Sequence, residues 1–126
     1  MSLLFVVDDN EDLCRLIARA LSRFGHQVST FADGAQFLDF ITDEQNPLPD
    51  LIILDMMMPE MGGTETFHLI RRIRPDLKVL ICSGYSVDSE RNDLLREGAA
   101  GFLEKPFDSS DIAAAVREVL DRVSSV

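Results

Sequence analysis

The chain has 126 residues, 46% hydrophobic and 27% charged, with a net charge of −10. That is the size and mixture of one globular domain with a real core, and it excludes a disordered or fibrous chain. The acidity leaves no basic footprint for phosphates, so nucleic acid is a poor direct partner, and solubility accounts for most of the charge. Cys14 and Cys82 form no CxxC and no metal-ligand spacing, which reads as inert buried thiols in a reduced, cytoplasmic protein. With no apolar run of about 18 residues and no signal-peptide pattern, no membrane span is expected.

Leu3-Leu4-Phe5-Val6-Val7 is an apolar run that ends in Asp8-Asp9-Asn10-Glu11-Asp12. Helix capping and a first helical turn account for Asn10, Glu11 and Asp12, and leave Asp8 and Asp9 without a structural reason. The helix that follows carries Leu13, Leu16, Ile17, Ala20, Leu21 and Phe24 at helical spacing and stops at Gly25. His26 to Phe31 alternates weakly, as an outer strand does. Asp33-Gly34-Ala35-Gln36 resembles a capping box, with Phe37, Phe40 and Ile41 on the apolar face behind it.

Leu51-Ile52-Ile53-Leu54 runs without alternation into Asp55, followed by Met56-Met57-Met58-Pro59. Such a run is a parallel strand buried on both faces or a buried helix segment, and Pro49 and Pro59 favour the strand. Met61-Gly62-Gly63 turns into a helix with Phe67, Ile70 and Ile73 on one side, halted at Arg74-Pro75. Lys78 to Cys82 is a further apolar run, ending in Ser83-Gly84-Tyr85. The helix expected over residues 88–97 has little apolar surface beyond Val87, Leu94 and Leu95, so it packs weakly and can move. Ala99 to Leu103 is the last strand, ending in Glu104-Lys105-Pro106, and Ile112, Val116, Val119, Leu120 and Val123 mark a final helix capped by Asp108. Five strands alternating with five helices, with no linker or repeat, is the pattern of a single doubly wound α/β sandwich spanning residues 1–126.

In such a sheet the residues that end each apolar run gather at one edge, where open α/β sheets place their ligands. That edge holds Asp8, Asp9, Asp55, Ser83 and Lys105. Three carboxylates together repel unless a cation sits among them, and a hard divalent ion with oxygen ligands, Mg²⁺ above all, answers this with room for a phosphate co-ligand. The hydroxyl of Ser83 and the point charge of Lys105 suit phosphate oxygens. The thioethers of Met56, Met57 and Met58 are too soft for such an ion, and His68, beside Glu65 and Arg72 on a helix face, reads as a surface residue.

The set Asp8-Asp9, Asp55 followed by Met58-Pro59, Ser83-Gly84, and Lys105-Pro106-Phe107 resembles the receiver domain of two-component response regulators, over residues 3–123. The resemblance implies a flavodoxin-like (βα)5 fold with a five-stranded parallel sheet in the order 2-1-3-4-5. It implies Asp55 as phosphoacceptor, Asp9 and Asp55 as side-chain metal ligands, a backbone carbonyl of Met57 as a third, and Asp8 acting through water. Ser83 would bind the phosphoryl group, Lys105 would pair with one of its oxygens, and the Lys105–Pro106 peptide would be cis. Phosphoryl transfer would come from a sensor histidine kinase, a histidine phosphotransfer protein or a small phosphodonor. Output would run through residues 86–102 to a downstream effector, with Ser83 and Phe102 as the switch pair and a phosphorylation-dependent dimer through residues 88–123. Phe102 stands where the family often has Tyr, so no output that reads a hydroxyl there is expected. Met57 and Tyr85 occupy positions that tune the attacking water, and apolar Met57 is expected to give it no help. The short motifs look most like receivers attached to hybrid sensor kinases.

Three other functions are weighed against this one. A phosphohydrolase with an aspartyl nucleophile needs a second acid two residues on, where Met57 stands, so turnover of external substrates is not expected. A flavodoxin-like cofactor carrier needs a Ser, Thr and Gly-rich phosphate loop where Asp8-Asp9-Asn10 stands. A receiver-like interaction module working without phosphorylation has no need of the residues that are present.

Overall fold

The computed structural model describes residues 2–58, 61–84 and 88–121, without the side chains of 88–90. Pro59, Tyr85, Ser86, Val87 and Val123, each singled out above, lie outside the described residues. Ten elements alternate in chain order: β1 (Leu3–Val7), α1 (Glu11–Ser22), β2 (Gln27–Phe31), α2 (Gly34–Thr42), β3 (Leu51–Asp55), α3 (Gly63–Ile73), β4 (Val79–Ser83), α4 (Asp88–Arg96), β5 (Gly101–Glu104) and α5 (Ser109–Asp121). The strands pair in parallel in the order β2-β1-β3-β4-β5. This is the doubly wound, flavodoxin-like sandwich expected.

The unbroken apolar runs follow from helices covering both sheet faces. Strand alternation sends Phe5, Val7, Ile52, Leu54, Val79 and Ile81 into one core with Phe37, Phe67, Ile70 and Leu94. Leu4, Val6, Leu51, Ile53, Leu80 and Cys82 enter a second with Ile17, Leu21, Ile112 and Val116. Phe5, Phe31, Phe37 and Phe40 pack ring against ring at centroid distances of 5.2 to 6.2 Å in tilted and edge-on pairs. Each such pair adds about 0.5–1.5 kcal/mol beyond the area buried, and together they hold the edge strand β2 and helix α2 to β1.

The caps are those the sequence indicates. Leu13 N–H donates to Asn10 Oδ1 at 3.1 Å, and Asp108 and Asp111 exchange backbone-to-carboxylate bonds of 2.9 and 3.0 Å at the start of α5. Gln36 N–H donates to Asp33 Oδ1 at 2.7 Å, but the Gln36 side chain reaches one residue past the cap and accepts from Ala32 N–H. After α1, Gly25 adopts φ +85° while its N–H donates to Ser22 and His26 N–H donates to Leu21. That double closure requires the left-handed conformation glycine supplies. β5 begins two residues later than expected, because Gly98 turns at φ +109° and Ala99 and Ala100 complete the approach to the sheet. Among the described side chains of α4 only Leu94 is buried, so this helix is as weakly anchored as its composition implies. No helix among the described residues is long and apolar enough to cross a membrane.

Gly63 opens α3 directly beneath the end of β3. A Cβ there would lie 2.4 Å from the Asp55 carbonyl oxygen and 2.5 Å from Met56 Cα, both backbone atoms that cannot swing aside. Gly63→Ala is therefore expected to destabilise the domain by about 1–3 kcal/mol, read as a lower urea midpoint at unchanged slope; an unchanged midpoint would show the loop after Asp55 to be free to retreat.

Candidate functional site

Strand register assembles the site. Val7 is level with Leu54, so the next residues, Asp8 and Asp55, stand side by side at the carboxyl edge of the two central strands. Asp55 is level with Cys82 and Ser83 with Glu104, which places Ser83 and Lys105 along the same edge. Backbone bonds continue the ladder past the strands: Asp8 N–H to Phe31, Met56 N–H to Cys82 and Lys105 N–H to Ser83, at 2.7 to 3.0 Å. The Lys105–Pro106 peptide is cis.

Asp8 and Asp55 are each 3% exposed, and Ser83 is buried with them. Lys105 Nζ donates to Asp55 Oδ1 at 2.9 Å and to Asp8 Oδ2 at 3.4 Å. Burial alone would lower the Lys105 pKa, but the hydrogen bond and negative charge of Asp55, with Asp8 behind it, raise it above its ordinary value. Burial raises the Asp8 carboxyl; the Asn10 N–H at 2.9 Å pulls it back, and the adjacent Asp55 pushes it up further. Asn10, read from sequence only as a helix cap, thus also fixes the orientation of Asp8. Nothing in the apolar-run pattern distinguishes this second role.

Asp9 is exposed, yet its carboxylate, with those of Asp8 and Asp55, places one oxygen from each residue within 4.8 Å of the others. Such a trio of hard donors fits a divalent cation with oxygen preference. Met57 is 71% exposed and Met58 is buried in the apolar core, so neither thioether faces the acids. Phe102 lies level with Ile81 on the face that carries Ser83, half-buried against the first core, and the Arg91 guanidinium sits 5.2 Å above its ring. Burial pushes Cys82 up to about 12 and Cys14 up to about 11, and the Cys14 thiol donates to the Asp8 carbonyl.

His68, assigned to the surface from sequence, is half-exposed and pairs with Glu97 at 2.6 Å. The partner lies 29 positions away, in the turn after α4, and no local pattern announces it.

A family model for the response regulator receiver domain matches residues 4–117. Response regulator MprA of Mycobacterium sp. (strain KMS) is 35% identical over 121 residues, which are 96% of this chain and 51% of that protein. Sensor kinase CckA of Brucella abortus (strain 2308) is 34% identical over 115 residues, 90% of this chain and 12% of that protein. A CheY-like response regulator receiver domain protein from Methanospirillum hungatei JF-1 superposes with a TM-score of 0.89 at 25% identity, covering 99% of this chain and 98% of that one. The chain thus spans about half the length of MprA and a small part of CckA. With its sheet order, acidic edge and strand-end lysine, the chain belongs to the response regulator receiver domain family.

Proposed function

We propose that this domain accepts a phosphoryl group on Asp55 from the phosphohistidine of a sensor histidine kinase or a histidine phosphotransfer protein, in the cytoplasm, and passes the change to a downstream effector. The observation that carries the reading is the Lys105 ammonium 2.9 Å from Asp55 within a pocket of three carboxylates. Packing alone gives no reason to gather three carboxylates and a lysine at one strand edge, whereas a phosphoryl-transfer site needs such a nucleophile with a cation beside it.

Asp9 and Asp55 would hold Mg²⁺ with their side chains, Met57 with its carbonyl and Asp8 through water. When bound, the ion neutralises charge on the transferred oxygens. Asp55 attacks phosphorus in line. The P–N bond breaks, its electron pair returns to the imidazole nitrogen of the donor, and the Asp55 carboxylate becomes an acyl phosphate. Lys105 shifts from bridging two carboxylates to pairing with a phosphoryl oxygen. The Ser83 hydroxyl donates to another, and water later removes the group as inorganic phosphate. Phe102 responds by turning toward space that Ser83 vacates, a shift between two packings that alters the surface of α4 and β5. That surface is the one offered to an effector or to a second copy of the domain.

Incubation with acetyl phosphate and Mg²⁺ is expected to add the mass of one phosphoryl group to the wild type and none to Asp55→Asn. A gain indifferent to Mg²⁺ or to Asp55 would sink the reading. Saturating Mg²⁺ at about 100 times its Kd should stabilise the wild type by about 2.7 kcal/mol, seen as a higher Tm. Asp9→Asn, at an exposed position, should match the wild-type Tm without Mg²⁺ and lose most of the Mg²⁺ increment. Met57→Asn, by supplying an amide able to orient the attacking water, should shorten the lifetime of the acyl phosphate; an unchanged decay rate would remove position 57 from the hydrolysis step.

A further inference from the structure

Arg91 and Phe102 bring together a charge and the aromatic side chain on which switching would turn. Arg91 is on the first half of α4, where the described side chains bury only Leu94, and its guanidinium lies 5.2 Å from the Phe102 ring centroid. Phe102 shares a sheet face with Ile81 and Ser83 and is only half-buried, so one side of its ring stays open to a cation. At the other end of the helix, Glu97 is tied to His68 of α3 at 2.6 Å. A Cβ at the adjacent Gly98 would lie 2.8 Å from the Arg71 guanidinium, so the turn after α4 is closely packed on α3. The helix is therefore held at its carboxyl end, and its described attachment nearer the amino end includes the Arg91–Phe102 stack.

We propose that Arg91 is the latch of the switch: its guanidinium stabilises the outward, half-exposed ring of Phe102, and so sets the fraction of molecules already in the signalling-competent packing before any phosphoryl group arrives. The inference rests on the phosphoacceptor reading and adds a regulator to it. A ring turned inward against Ser83 leaves the guanidinium behind, because a guanidinium cannot follow into an apolar core without an anionic partner or hydrogen-bond acceptors. The stacking free energy thus counts on one side of the equilibrium only, as a bias on two packings must. Phenylalanine suits this latch, since its ring offers a cation a π face and no hydroxyl that would anchor the outward position by itself. Because the inward packing is the one that accommodates a phosphoryl group at Asp55, the labelling rate scales with the population of that packing.

The test uses the whole domain. Arg91→Gln should speed labelling by acetyl phosphate about two- to fivefold, the population change expected from losing one exposed cation–π contact. Arg91→Lys should fall between it and the wild type. In a Phe102→Leu background, Arg91→Gln should change nothing. Equal effects in both backgrounds would make Arg91 a general charge effect and overturn the latch, as would a rate that is unchanged or slower. A second readout does not depend on phosphorylation. With 4-fluorophenylalanine in place of phenylalanine, the Phe102 resonance, assigned through Phe102→Leu, should move toward a buried environment in Arg91→Gln. If the wild type takes no phosphoryl group, the proposed function fails, and the fluorine shift alone decides the latch. A resonance that stays put on loss of Arg91 overturns it.

Discussion

The Lys105 ammonium between Asp55 and Asp8 is the interaction on which the rest of the site depends. Two almost wholly buried carboxylates stand side by side because β1 and β3 are in register, and without a cation they could not both keep their charge. Lysine suits this place because its charge is compact and mobile on a flexible stem. It neutralises the two acids, and in the proposed reaction it would be free to follow one oxygen as the charge distribution changes.

The sheet was legible because both of its faces are covered. Continuous apolar runs marked the strands, and the acids, serine and lysine ending them stood out as residues that a buried strand does not need. Strand order was available only through the resemblance, since periodicity says nothing about neighbours. β5 shows the limit of pattern reading: Ala99 and Ala100 are apolar, yet after the turn at Gly98 the first bond to β4 comes only from Ala100 N–H, to Val79 at 2.8 Å, and the register with β4 begins at Gly101.

What local patterns could not announce are contacts between distant elements. Arg91 over Phe102 and His68 against Glu97 join residues whose own neighbourhoods look like ordinary helix surface and strand interior. Gly63 was readable as a turn residue, but the reason it must lack a side chain lies in the backbone of β3 approaching from the chain preceding it. Asn10 was readable as a cap, while its N–H bond to Asp8 is visible only once that carboxylate turns back toward the helix.

The division of the interior into two cores has a consequence of its own. Phe102, Leu94 and the residues packed behind them belong to the core beneath α2, α3 and α4, whereas α1 and α5 close over the other side of the sheet with separate side chains. A rearrangement starting at Phe102 meets the sheet as a bulkhead. On the proposed phosphoacceptor reading, the α1–α5 side would then act as a stator that keeps its shape, and the opposite side as the rotor. A donor docking on the stator would meet the same surface in either state, and an effector docking on the rotor would tell the states apart, so the two tasks would not compete for one surface.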